Sequence, residues 1–228
     1  MTNPSADSYS FNAIRADTLS DVYERLDGRV FLTGMSGLVR SVLLHQAQRT
    51  SEGLNVAAYV TGYRGSPLGA VDSTFARARK YLQAAQVNFQ PGLNEDLAAT
   101  AIWGTQQAGL YEKARHDGVL GVWYGKGPGV DRSGDAFKHG NLAGTSANGG
   151  VVILAGDDHM CKSSTTAHQS EPLLMACGIP VLNPAGIEDL IPYFLLSAAM
   201  SRYSGCWVSL KCLTDTMDSS ASVDTLPT

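Results

Sequence analysis

Three short segments of this 228-residue chain set glycine beside polar side chains. The first is Gly62, Tyr63, Arg64, Gly65, Ser66 and Pro67; the second runs Gly125, Lys126, Gly127, Pro128, Gly129, Val130 and Asp131; the third is Gly156, Asp157, Asp158 and His159, with Ser163 and Ser164 just beyond. Glycine allows a backbone to approach a ligand closely, and charged neighbours can then address it. A fourth segment places Asn94, a good N-cap, ahead of Glu95 and Asp96 at the start of the longest helical pattern. Arg64 could pair bidentately with a carboxylate, and Lys126 could line a crevice. Asp157 and Asp158 could form a metal pair or an acid–base dyad. Each residue also has a plainer use. Gly65, Ser66 and Pro67 are good turn chemistry, and Arg64 and Lys126 can simply be solvated. An acid in a first helical turn is stabilised by the helix dipole, and aspartates after a buried strand commonly cap loop amides. No metal is assigned to them.

Several chemistries are disfavoured by what the segments lack. GxxxxGK[ST] is absent, and the run from Gly125 to Gly129 has neither GxGxxG spacing nor, with Pro128 in it, an obvious helix start. Ser163 and Ser164 have no nucleophile-elbow context, which argues against hydrolysis. His139, His159 and His168 have no ligand-spaced partner, so they read as satisfied loop histidines. Cys161, Cys177, Cys206 and Cys212 form no CxxC pair, so no zinc or iron–sulfur ligand run is expected and most should be reduced core residues.

The elements that must position these loops follow a βα rhythm. Strand patterns at 30–33, 56–61, 119–124, 151–155, 179–182 and 206–213 alternate with helical patterns at 37–48, 71–84, 94–114, 134–142, 169–176 and 187–201. The continuous apolar runs at 151–155 and 207–210 suit strands buried on both faces, as parallel strands covered by helices are. The expected fold class is therefore α/β, a doubly wound, mostly parallel sheet with helices on both faces. The three glycine-rich loops all follow strands and should share one sheet edge, where such folds bind ligands.

Composition limits the partners. A hydrophobic content of 44% supports a real core, and a formal charge of −4 without any Lys/Arg run argues against nucleic acid. No apolar stretch approaches the roughly 20 residues of a membrane span, and the polar start at 1–17 reads as a flexible arm rather than a secretory signal, so the expected location is cytoplasmic. From the residues alone, the reading stops at an α/β domain with a polar crevice, for which a generic nucleotide-binding module is the plain guess.

The segments also resemble a known family. Gly62 to Pro67 is similar to a GYPGTP loop, and Asn94, Glu95, Asp96, Leu97 and Ala98 to an NEKVA helix start. Asp157 and Asp158 with Ser163 and Ser164 resemble DDPxxxSS, and the run from Ile179 to Pro184 resembles IPVLEP. In this order the four resemble the pyrimidine-binding domain of indolepyruvate:ferredoxin oxidoreductases, nearest in motif to their long fused bacterial form. Arg64 stands where that family has proline, Ser66 where it has threonine, and His159 where it has proline.

The resemblance implies a thiamine-diphosphate enzyme that oxidatively decarboxylates an aryl 2-oxoacid such as indolepyruvate to an acyl-CoA and reduces ferredoxin. It implies that Glu95 is the carboxyl group on the aminopyrimidine ring nitrogen, which promotes the tautomer through which the cofactor activates itself. Ser66, with Arg64 as charge partner, becomes the candidate for the substrate carboxylate. Gly65, Pro67, Asn94, Lys126 and Gly127 become candidate cofactor-binding residues. No GDG-type segment with a downstream asparagine is present, so the diphosphate, its magnesium and the iron–sulfur clusters are expected on other domains or subunits. The expected organisation is an arm at 1–17, the pyrimidine-binding domain at 18–222 and a tail or linker at 223–228, in a dimeric assembly inactive as the isolated chain. The competing reading within the same resemblance is a non-catalytic remnant or regulatory fragment.

Overall fold

The computed structural model describes residues 18–162 and 166–225; the expected arm at 1–17 and the serines at 163 and 164 lie outside them. The strands are β1 (Arg29–Thr33), β2 (Val56–Gly62), β3 (Val87–Phe89), β4 (Gly118–Lys126), β5 (Gly150–Asp157), β6 (Val181–Leu182), β7 (Val208–Leu213) and β8 (Ser220–Asp224). The helices are α1 (Asp21–Glu24), α2 (Gly34–Ser51), α3 (Val71–Arg77), α4 (Arg79–Ala84), α5 (Glu95–Gln106), α6 (Gly127–Arg132), α7 (Gly134–Ala143), α8 (Glu171–Ala176), α9 (Ile187–Ser204) and α10 (Thr214–Met217). Among the described residues, no helix is long and apolar enough to cross a membrane.

β5 is buried along its whole length, as its unbroken apolar run requires. Successive side chains of a strand point to opposite faces, so Val152 and Leu154 join one core while Val151, Ile153 and Ala155 join the other. The first core receives α2, α3, α4 and α9, with Leu38, Phe75 and Phe194 among its buried side chains. The second receives α5, α6, α7 and α8, and centres on Trp123, Phe137 and Trp207, whose rings meet edge to face. Each fully buried large apolar side chain contributes about 1.5–3 kcal/mol relative to exposure. The result is the expected doubly wound α/β architecture, with a six-stranded sheet in the order β3-β2-β4-β5-β7-β6 whose neighbours all pair in parallel.

Several elements differ from expectation. β1 is not in the parallel sheet; it pairs antiparallel with β8 in a separate ribbon, where Val30 and Leu32 face inward and Phe31 faces solvent. Val223 and Asp224 complete β8, so ordered strand extends into the stretch read as a tail. The helical pattern at 71–84 breaks at Ala78 into α3 and α4, and the pattern at 94–114 ends at Gln106 before a 3₁₀ turn at Ala108–Leu110. A helix does begin at Gly127. Pro128 sits in its first turn, where the missing N–H would have no helical partner anyway.

The order of the strands sets where a ligand can lie. From β2 the chain turns to β3 through α3 and α4 on one face, whereas from β4 it turns to β5 through α6 and α7 on the other. The C-terminal ends of β2 and β4 thus flank a topological switch point, where the diverging connections leave a crevice.

Candidate functional site

Glu95 is placed at this edge by the start of α5. Asn94 has extended backbone, and its side-chain oxygen accepts the Leu97 N–H at 2.9 Å, which satisfies one of the orphan amides of the helix end. Glu95 follows in the first turn and is only 7% exposed. Its carbonyl accepts the indole N–H of the fully buried Trp123 at 2.9 Å, so the helix start is tied to β4. Above its side chain lies Gly129 of α6. A methyl group there would stand 2.6 Å from Glu95 Cγ, so only glycine lets α6 settle this close. Arg132, at the end of α6, reaches Asp96 Oδ1 at 3.1 Å and Glu95 Oε2 at 3.9 Å. Its side chain is 55% exposed, which limits the pairing to about 0–1 kcal/mol.

The loop after β2 adjoins the same edge. Gly92, just ahead of α5, donates its N–H to Gly62 O at 2.8 Å, joining the loop of Ser66 to the loop of Glu95. Gly65 lies against the aliphatic stem of Lys126, and Pro67 against Gly156 at the end of β5. Ser66 is half-buried, and its peptide to Pro67 is cis. Arg64 is exposed and lines a shallow cleft of about 180 Å³ with Tyr63, Asp72, Pro91 and Gly92. Asp72 accepts the Tyr124 hydroxyl at 2.6 Å. That hydroxyl titrates well above the ordinary phenol range, first because it is buried and then because of the Asp72 bond and charge; the Arg64 cation opposes this in part.

A buried charged group closes the far side. Asp157, wholly buried at the end of β5, accepts the Ser170 hydroxyl at 2.6 Å and the Ser170 N–H at 2.9 Å. Lys211 of β7 stands 3.4 Å from it and also pairs with Glu171. Burial alone would raise the Glu171 carboxyl, but the hydrogen bond from Lys211 and that residue's charge outweigh it and leave it lowered. His168 lies between two carboxylates, with Nε2 at 2.7 Å from Asp131 Oδ2 and Nδ1 at 3.5 Å from Asp157 Oδ1. Cys212 is fully buried beside this group; burial and then the charge of Asp157 push its thiol far up, which suits an inert core residue.

The structure therefore brings Gly65, Pro67, Lys126 and Gly127 to one edge with the loop of Asn94 and Glu95. Asn94 uses its side-chain oxygen on its own helix, and Arg64 turns to the Asp72 cleft. Asp157 does cap a loop amide, as the plainer reading held, and it also faces the Lys211 ammonium and the His168 ring. Among the described residues, no group of three or more His, Cys, Asp or Glu side chains could hold a metal ion. Sequence reading missed Trp123, Gly129, Arg132 and Lys211 as neighbours of the site. The contacts from β4 and α6 join residues 28 to 37 positions apart, so no local pattern announces them.

No family model matches the chain. It is 24% identical over 176 residues to the indolepyruvate oxidoreductase subunit IorA of Methanothermobacter marburgensis, an alignment that covers 77% of this chain and 25% of that relative. Among solved structures, the 2-oxoglutarate:ferredoxin oxidoreductase from Magnetococcus marinus, with 2-oxoglutarate, coenzyme A and succinyl-CoA bound, matches with a TM-score of 0.60 at 16% identity. That match covers 88% of this chain and 32% of the other. The chain thus spans about a quarter of one relative and about a third of the other.

Proposed function

The chain resembles 2-oxoacid:ferredoxin oxidoreductases, and on that premise we propose that it forms the aminopyrimidine-binding half of a thiamine-diphosphate site in an enzyme of the indolepyruvate type. The observation that carries this reading is Glu95: a carboxylate nearly removed from water, roofed by glycine and set at the switch point of a doubly wound sheet.

Those residues fit the group. An aminopyrimidine is flat, largely apolar and asks for one carboxyl group at a ring nitrogen, and the donor set here is one buried acid with glycine walls. When bound, thiamine diphosphate supplies a nucleophilic ring carbon for attack on a 2-oxo group. Glu95 would hold and exchange the proton at the pyrimidine nitrogen. Trp123 and Asn94 fix the start of α5, so the carboxylate does not wander, while Gly129 covers it. Ser66 would donate to the substrate carboxylate, with Arg64 adding charge from the exposed side. Gly65, Pro67, Lys126 and Gly127 would form the wall facing the cofactor.

The diphosphate, its magnesium and the iron–sulfur clusters would be held by other domains or subunits, and ferredoxin and coenzyme A would meet those. Leu93 and Leu97, 87% and 52% exposed beside Glu95, form an apolar rim suited to such a neighbour. The test is turnover by the full-length protein, or its reconstituted complex, with thiamine diphosphate, magnesium, coenzyme A and a panel of aryl and aliphatic 2-oxoacids. Thiamine-dependent ferredoxin reduction with indolepyruvate is the expected result. Cofactor-loaded protein that reduces ferredoxin with none of them would overturn the reading and favour a non-catalytic role.

A further inference from the structure

α6 is six residues long, and its first three positions are Gly127, Pro128 and Gly129. So short a helix, begun with two glycines, has little stability of its own and must be held by its neighbours. Its position matters because Gly129 covers the Glu95 side chain. Val130 is wholly buried and anchors one face, and the exposed Arg132 adds little. A further hold is His168. Its ring presses so closely on α6 that a methyl group at Gly127 would lie 2.0 Å from Nδ1, and its Nε2 bonds Asp131 of the same helix at 2.7 Å. Its other nitrogen faces Asp157 of β5. Asp157 does not yield: it is fixed by Ser170 through two bonds, and by Lys211 of β7, itself held by Glu171 of α8.

We propose that His168 is a positioning residue: it bridges the immobile Asp157 to Asp131 and so clamps α6 over Glu95. The Nε2 contact with Asp131 is at full hydrogen-bond distance, whereas Nδ1 stands at the long limit from Asp157, so the firmer bond is the one to α6. The charged groups facing it are Asp131 from α6 and Asp157 from β5, with Lys211 and Glu171 behind; His159 approaches only the His168 backbone carbonyl, at 3.1 Å. Through this clamp the deep charged group would govern how well the Glu95 carboxylate is enclosed. The effect on chemistry rests on the thiamine-diphosphate reading; the clamping of α6 does not.

The test is a double-mutant cycle in the full-length protein with His168→Gln and Asp131→Asn, both near-isosteric, read by amide hydrogen exchange over residues 127–132 and by C2-proton exchange of bound thiamine diphosphate. A hydrogen bond to a carboxylate predicts that each single change speeds exchange of the α6 amides by about 10–100-fold, and that the double variant goes no further. C2 exchange should fall with them, with the affinity for thiamine diphosphate nearly unchanged. Unaltered α6 amides, or additive effects, would overturn the clamp. Glu95→Gln serves as the control. If it leaves C2 exchange intact, the thiamine reading fails while the amide data still judge the clamp; if it abolishes C2 exchange and the His168 variant does not slow it, the clamp has no hold on the chemistry.

Discussion

Replacing Glu95 by glutamine tests the centre of the functional reading with little structural damage. The side chain keeps its size beneath Gly129, and the Trp123 bond is to the backbone carbonyl, so neither is disturbed. Two contributions are lost. The first is the favourable placement of an anion in the first turn, about 0.3–1 kcal/mol. The second is the 3.9 Å pairing with Arg132, which at 55% exposure contributes about 0–1 kcal/mol. Together they amount to roughly 1 kcal/mol, or a drop of about 2–4 °C in melting temperature for a chain of this size. Loss of proton exchange at the pyrimidine nitrogen should act on a different scale, with turnover lower by about 10²–10⁴-fold. Thermal melting and circular dichroism measure the first effect, and C2-proton exchange of bound thiamine diphosphate measures the second without relying on the later steps. A well-folded Glu95→Gln enzyme with wild-type C2 exchange would return Glu95 to the status of an ordinary first-turn acid and remove the mechanism with it.

Three further outcomes follow from the same geometry. Residues 1–228 alone should bind thiamine diphosphate feebly and oxidise no 2-oxoacid, because the sequence holds no GDG-type segment with a downstream asparagine for the charged end of the cofactor; tight magnesium-dependent binding in a calorimetric titration would contradict this. Ser66→Ala in the complete enzyme removes one hydrogen bond to a charged group, about 1.5–3 kcal/mol, so KM for the 2-oxoacid should rise by about 10–100-fold while cofactor affinity holds; steady-state kinetics beside calorimetry separates the two. His45, on α2, is held neutral down to about pH 4, first by burial and then by the charges of Arg202 and Arg49 against the opposing Gln46 bond, whereas the unfolded chain binds that proton near 6.5. Its contribution is therefore intact above pH 6.5 and is lost as pH falls towards 4, by roughly 3 kcal/mol, so His45→Leu should flatten that acid limb in urea unfolding at pH 7, 5.5 and 4.5.

The parts of the fold legible in the sequence were those whose signal is local and strong. The continuous apolar run of β5 marks a strand covered by helices on both faces, and there the pattern and the burial agree. β3 has three residues, too few for any period to show. β1 was visible as a strand but its partner was not. The outward Phe31 hides the alternation of Val30 and Leu32, and β8, which reads Ser-Ala-Ser-Val-Asp, has hardly any apolar pattern at all. α6 was hidden by its own composition, since Gly-Pro-Gly reads as a breaker until its neighbours supply the stability it lacks.

At the site, the cap at Asn94 and the acid after it follow from helix chemistry alone and were legible. The roof of Gly129, the Trp123 tether and the bridge made by His168 were not, because each joins segments that only the winding of the sheet brings together. A histidine without a ligand-spaced neighbour looked merely satisfied, and it is satisfied; the sequence does not show that its two partners sit on different elements.

The β1–β8 ribbon bears on how load enters this unit. Arg29 stands opposite Asp224, and Thr33 opposite Ser220, so the chain comes in and goes out at the same end of one antiparallel pair. A pull applied at those two points opens the ribbon like a zipper, one rung at a time, and each rung is weak. The parallel sheet behind it, with the switch-point crevice, carries no load until the ribbon has parted. Before residue 29 the chain is held a second time, because Arg40 of α2 donates to the carbonyls of Asp21, Val22 and Arg25, so a tug from that side loads α1 first, whereas one from beyond residue 224 meets the ribbon directly.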